Sequence, residues 1–400
     1  GGLARVRLTE MPHLAEHYTD APFKGDMMRF RPRRSCGSRF QTNLAAELQQ
    51  LEPRSLPTGT VTATLSNGHL TIGGDNLDNS ILVEVRTTGI FLTGLQDVDS
   101  DPATFTKIKF SGVTYEEGEE VALTEALSLK NLSILMRGGN DNVRMEVGVA
   151  ATEPEPDAPE AVITGRVRIN LGTGDDQGVL LLNNGMLTIG GNLEGDLDNG
   201  NDCFLVGTLE KLNAGSEPQD PIQVDGSVII LGRLGSDLIG LAGVDVQRSM
   251  NVNGGDHNDS LSLQSATIGG SLTLDGYKGD DDIHVEEAIT VGTTALRGGS
   301  GNDRLRITSL DATGKVTILM AAGEDQCSVG ELTLTETTKV TLDGGAGTDA
   351  LAADSELTDP PVKVKGFEDT AATIDSQEII DTIAALIADC LTATAPPVIP

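Results

Sequence analysis

Gly298-Gly299-Ser300-Gly301-Asn302-Asp303-Arg304-Leu305-Arg306 and Gly344-Gly345-Ala346-Gly347-Thr348-Asp349-Ala350-Leu351-Ala352 repeat one pattern: a glycine-rich turn closed by Asp, then an apolar residue between two others. Anchoring on the Asp that closes each such turn gives Asp78, Asp141, Asp176, Asp202, Asp237, Asp259, Asp281, Asp303, Asp325 and Asp349. From Asp237 onward the steps are 22, 22, 22, 22 and 24 residues, a regularity that chance does not produce. Before Asp237 they loosen to 63, 35, 26 and 35, so the same unit carries excursions there.

The columns aligned by this period are chemically uniform. Two residues after each Asp stand Ile239, Leu261, Ile283, Leu305 and Cys327, and four after stand Leu241, Leu263, Val285, Ile307 and Val329. Gly240, Ser262, His284, Arg306 and Ser328 lie between, so the segment is apolar on one face and varied on the other, as a strand is. A second pair of columns begins at Val244, Ala266, Ala288, Leu310 and Leu332, and a third at Met250, Leu272, Thr294, Val316 and Val340. Three inward pairs per repeat imply three short strands per coil. The expected fold is therefore all-β, a right-handed parallel β-helix with three sheets along its axis and coils of about 22 residues. Each coil adds about 4.8 Å, so ten coils make a rod on the order of 50 Å.

Composition agrees with a solenoid. The 400 residues include 48 glycines, no Trp, 3 Tyr and 8 Phe, which leaves few large side chains for a globular core. Sixty acidic against 28 basic residues give a net charge of -32, which repels nucleic acid and anionic membranes and makes divalent cations the natural partners. No window of about 18 apolar residues is present to span a bilayer as a helix.

The two full nonapeptides fit G-G-x-G-x-D-x-U-x at every position, and looser copies are Gly138 to Met145, Gly276 to His284 and the loops ending at Asp176, Asp202, Asp259 and Asp325. They resemble the RTX, or haemolysin-type calcium-binding, repeats, over roughly residues 73 to 352. The resemblance implies Ca²⁺ held between successive turns by the motif Asp and turn carbonyls. Asp141, Asp176, Asp202, Asp237, Asp259, Asp281, Asp303, Asp325 and Asp349 are then the candidate metal ligands. RTX nonapeptides follow one another in tandem and build a two-sheet roll, whereas here one copy appears per coil and only one edge is available. Ser236 precedes Asp237 and His257 replaces a glycine, so several loops are degraded. The competing reading is that Gly-Asn-Asp simply turns well, with stacked Asn and Asp side chains bonding to backbone.

Three regions follow: a basic leader over 1–56, the β-helix over 57–370 with its regular coils at 237–352, and a helix and tail over 371–400. The leader holds Arg29, Arg31, Arg33, Arg34 and Arg39 and reads as disordered. It ends in Leu51-Glu52-Pro53-Arg54-Ser55-Leu56, which resembles the LEPR-XLL leader of large bacterial surface proteins. At the other end, Ile379, Ile380, Ile383, Leu386, Ile387 and Leu391 share a helical face, expected to cap the last coil. Cys36, Cys203, Cys327 and Cys390 are widely spaced, without a zinc pattern or a disulfide framework, and read as buried free thiols. His284 reads as a surface residue.

The function expected is non-catalytic: a secreted or cell-surface solenoid stabilised by calcium, with adhesion to cell-surface or matrix components as its use. The rival is an extracellular polysaccharide lyase or hydrolase on the same scaffold, with Arg306 beside Arg304, Asp281 and Asp282 as the group to test. No G-x-S-x-G, P-loop or HExxH signature stands in the chain.

Overall fold

The computed structural model describes residues 59–97, 104–115, 118–148, 159–212, 220–353, 362–370, 374 and 376–392. The leader and the Pro-rich stretch 152–158 lie outside the described residues. The chain winds as a parallel β-helix, and the strand registers reproduce the sequence columns. Leu261 pairs with Ile283, Ile283 with Leu305 and Leu305 with Cys327; Leu274 pairs with Leu296 and Leu296 with Ile318. Inward residues of all coils form one continuous apolar core, from Val61 to Leu351. Each core position stacks on its counterpart one coil away, which is why small β-branched and aliphatic residues suffice.

Three faces are present, but they form two large sheets of 14 and 16 strands rather than three. In the coil that opens at Asp202, the first face is Cys203–Thr208 and the second is Ile222–Val224; both pair with Leu238–Val246 of the next coil. From there the two faces are one nine-residue strand, as in Ser260–Ile268 and Asp282–Thr290. The first three of these strands bend at a single residue of positive φ: Gly243 at 68°, Ser265 at 48° and Glu287 at 51°. A 22-residue coil leaves no room for a longer corner. The irregular coils place their extra residues at this same corner, at 148–159, at 183–185 and at 209–221, where a short helix α1 spans Leu209–Leu212. The strands flanking these positions keep their register from coil to coil.

At the N-terminal end, hairpins extend the sheets beyond the first coil. Thr60–Ser66 pairs antiparallel with His69–Gly73 across the Asn67-Gly68 turn, whose φ values of 51° and 80° suit that dipeptide. Gly89–Gly94 pairs antiparallel with both Ser80–Arg86 and Glu120–Thr124. The last strand at the other end is Val362–Lys365, with Lys363 and Lys365 on its exposed side, a composition that discourages pairing with a further strand.

The C-terminal helix α2 spans Ser376–Thr392, but it does not cap the last coil. It lies lengthwise on the outside of the first face. Arg304 Nη1 faces Glu378 Oε1 at 3.7 Å near its start, while Arg144 Nη1 donates to the Leu391 carbonyl at 3.1 Å near its end. Beneath it the outward positions of the coils are themselves apolar, Val179, Leu181, Leu205, Leu238 and Ala242 among them. These meet Ile379, Ile383, Leu386, Ile387 and Leu391 in a second core. Outward apolar columns on one flank, rather than an apolar open end, decided where the helix docks. Cys203 and Cys390 form a disulfide inside this second core, which corrects the expectation of free thiols; Cys327 is free and buried in the main core.

Candidate functional site

The glycine-rich turns stack into one edge of the solenoid, and each position of the motif has a distinct reason. The residue four before each ladder Asp takes positive φ in every regular coil: Arg233, Gly255, Tyr277, Gly299, Ala321 and Gly345 at 82–127°. The residue two before does so as well, with His257 at 91° and Gly301 at 134°, so glycine is the low-energy choice at both. At the position five before, conformation is not the reason. A Cβ built on Gly254, Gly276 or Gly298 would overlap Oδ2 of Asp259, Asp281 or Asp303, so the carboxyl group occupies the place of a side chain. Other coils carry Met136, Leu171, Leu197 and Met320 there, packed into the core instead.

All nine candidate aspartates are brought into one column, and all are at most 1 % exposed. Each Oδ1 accepts the backbone N–H of the ladder residue one coil earlier. Asp141 N–H donates to Asp176 at 2.6 Å, Asp237 to Asp259 at 2.8 Å, Asp259 to Asp281 at 2.8 Å, Asp281 to Asp303 at 3.0 Å and Asp325 to Asp349 at 3.1 Å. The remaining rungs from Asp176 to Asp237 and from Asp303 to Asp325 follow the same rule. The column ends on Glu368, whose Oε2 accepts the Asp349 N–H at 2.8 Å.

The first rung is Asn79 and not Asp78: the Asn79 N–H donates to Asp141 Oδ1 at 2.7 Å. Asp78 belongs to a second, outer ladder that sequence reading missed, built from the residue just before each rung. Here the polarity is reversed, because a side chain accepts the N–H of the following coil. Asp78 accepts from Asn140, Asn140 from Asp175, Asp175 from Asn201, Asp280 from Asn302 and Asn302 from Glu324, at 2.6–3.1 Å. The recurring Asn or Asp before the motif Asp was the signal for it.

The second oxygen of the inner ladder has no such partner. Oδ2 of Asp141, Asp176, Asp202, Asp237, Asp259, Asp281, Asp303, Asp325 and Asp349 is buried and makes no hydrogen bond. At Gly232, Gly276 and Gly344 the overlapping position is shared by Oδ2 of Asp237, Asp281 or Asp349 and by the carbonyl oxygen of Gly254, Gly298 or Gly366. Two acceptor oxygens thus converge with nothing to donate between them. Burial pushes these carboxyls well above the usual range, to about 8 at Asp141, Asp237 and Asp303, about 9 at Asp202 and about 10 at Asp259. Asp176 and Asp281 rise to about 7 and Asp325 to about 6 for the same reason, and neighbouring rungs add repulsion at Asp202, Asp259 and Asp303.

The donor chemistry fits a hard cation: carboxylate and carbonyl oxygens, no nitrogen or sulfur. Among the described residues no three His, Cys, Asp or Glu side chains gather around one point, so a bound ion would draw on backbone carbonyls for most of its shell. The residues that would hold it are the ladder aspartates and the glycines five before them, and the ion would supply the positive charge that the column lacks.

The other candidates are elsewhere. Arg304 is engaged with Asp282, Nε to Oδ1 at 2.6 Å, and Arg306 Nη1 donates to Ser328 Oγ at 2.6 Å. His284, expected at the surface, is completely buried on the flank that α2 covers, and Nε2 meets Thr308 Oγ1 at 3.1 Å. No family model, curated protein or solved structure matches this chain.

Proposed function

We propose that this protein is a non-catalytic structural rod of the cell exterior whose loop edge takes up calcium, gaining rigidity from it outside the cell. The observation that carries this reading is the column of nine buried carboxyls, each with one oxygen satisfied by the preceding coil and the other without a partner. Carboxylates one coil apart, about 4.8 Å, repel in a desolvated column unless a cation or protons compensate. Calcium at the millimolar levels of extracellular fluids supplies that compensation by binding the folded coils and not the unfolded chain. The repeated nonapeptide, the net charge of -32 and the Cys203–Cys390 disulfide, which belongs to oxidising compartments, support the same placement. Display of the rod's long flanks to cell-surface or matrix components is the use we assign to it.

Thermal unfolding of the purified protein, first treated with chelator and then titrated with calcium, tests the reading alongside metal analysis. Calcium at millimolar concentration should raise Tm by about 10 °C or more, since several sites act together. An unchanged Tm, with no metal retained, would sink the calcium assignment and leave the column as a hydrogen-bonded ladder alone.

A further inference from the structure

A solenoid couples each coil only to its neighbours, so distant parts of the stack unfold independently unless something bridges them. The coil of Asp141 pairs with the coils of Asn79 and Asp176 and shares no strand pairing with the coil of Asp303. Helix α2 reaches both. Its first turn faces Arg304 of the 303 coil, and its last residues accept from Arg144 of the 141 coil and from Gln177 Nε2 of the 176 coil. The outer surface under it is uneven. Ile379, Ile383, Leu386, Ile387 and Leu391 sit on the apolar patch, and beside them Thr382 and Leu386 line a polar cleft of about 210 Å³ together with Asp259, Ser260, Asp282 and Arg304. Apolar packing therefore runs along the helix from Ile379 to Leu391, with the cleft to one side. The disulfide ties Cys390, near the C-terminal end of the helix, to Cys203 across 187 residues of sequence.

We propose that α2 is an oxidation-set clamp: closing Cys203–Cys390 couples coils that do not touch one another into a single cooperative unit. In closing, the two thiols lose two protons and two electrons to a thiol–disulfide oxidant of the compartment, and one S–S bond forms. Before export the coils fold and open as nearest-neighbour units; after oxidation the helix is held on the flank, and opening any coil from 141 to 303 requires lifting it. The clamp's ion pair, its hydrogen bonds from Arg144 and Gln177 and its disulfide involve no ladder aspartate, and the one ladder residue near the helix, Asp259, only lines the cleft beside it.

The test compares oxidised wild type with the Cys203→Ser/Cys390→Ser double variant, each with calcium and with chelator. Guanidinium unfolding is followed by circular dichroism and by hydrogen exchange read separately at 142–147, 304–312 and 376–392. The wild type should unfold in one transition, with the two strand segments opening together. The variant should retain its β-structure, show a lower m-value or two transitions, and exchange the amides of α2 at least about tenfold faster. The idea is overturned by an unchanged m-value and unchanged exchange in the variant. Loss of all β-structure in the variant also overturns it, because the bond would then be needed to fold the coils rather than to couple them. So does alkylation of both cysteines when unreduced wild type is unfolded.

Discussion

The Asp281 N–H donates to Asp303 Oδ1 at 3.0 Å across 22 residues, while one position earlier Asp280 Oδ1 accepts from the Asn302 N–H at 2.6 Å. Two adjacent residues of one turn therefore hold the next coil through hydrogen bonds of opposite polarity. A shift of one residue in the stacking would exchange a buried carboxyl for an exposed amide and break both ladders, so the pair sets register as well as adding stability.

Replacing Asp303 separates the two roles of its carboxyl. Asp303→Asn keeps an oxygen for the Asp281 N–H and removes a group that burial forces to take up a proton on folding, so in chelator at neutral pH it should leave stability equal or raise it, while reducing the calcium response. Asp303→Ala removes the acceptor, strands a buried N–H and should cost about 2–4 kcal/mol in urea unfolding under either condition. Equal losses in the two variants would mean that the charge, not the hydrogen bond, is what the coil uses.

The pH dependence of the chelated protein follows from the ladder. The folded carboxyls titrate at about 6 to about 10, above the ordinary value of 3.8, because burial disfavours their charged form. The folded state therefore holds protons that the unfolded chain releases, and stability falls as pH rises from 3.8 through that window. Tm in chelator should be higher at pH 6 than at pH 9 by about 5 °C or more, and calcium should flatten the difference. A chelated protein whose Tm climbs with pH across this range would contradict the burial of the column.

His284 adds an opposing limb. Burial, with Arg306 nearby, lowers it from 6.5 to about 4, so it stays neutral in the folded state and must be charged in the unfolded chain below its ordinary value. Stability lost between pH 6.5 and 4 from this group amounts to about 3 kcal/mol. His284→Gln should remove that loss, visible as a shallower fall of Tm with acid relative to wild type.

Two turn variants should move stability in opposite directions. Gly301 has φ +134°, and a Cβ there would run into the Gly279 carbonyl, so Gly301→Ala should cost about 2–4 kcal/mol. His257 carries a side chain at φ 91° in the corresponding position of another coil, and His257→Gly should relieve about 1 kcal/mol of strain. Differential scanning calorimetry of both reads the contrast directly.

Period and alternation in the sequence determined the coil, its three inward pairs and the edge on which the aspartates stack, because every regular coil repeats the same local choice and stacking equal units puts like on like. Residues such as Leu261, Ile283 and Leu305 declare their face by spacing alone. What spacing could not carry was decided by contacts between distant segments. Asn79 rather than Asp78 begins the ladder because coil register, not residue type, selects the rung. The first two faces merge where the corner shrinks to one residue of positive φ. Cys203 and Cys390 meet, His284 is buried and α2 lies along the flank because outward-facing Val179, Leu181, Leu205 and Leu238 gather only when three coils are stacked. Each of those residues lies on the varied side of its own strand, and an apolar patch made of one or two residues per coil exists only in the tertiary structure.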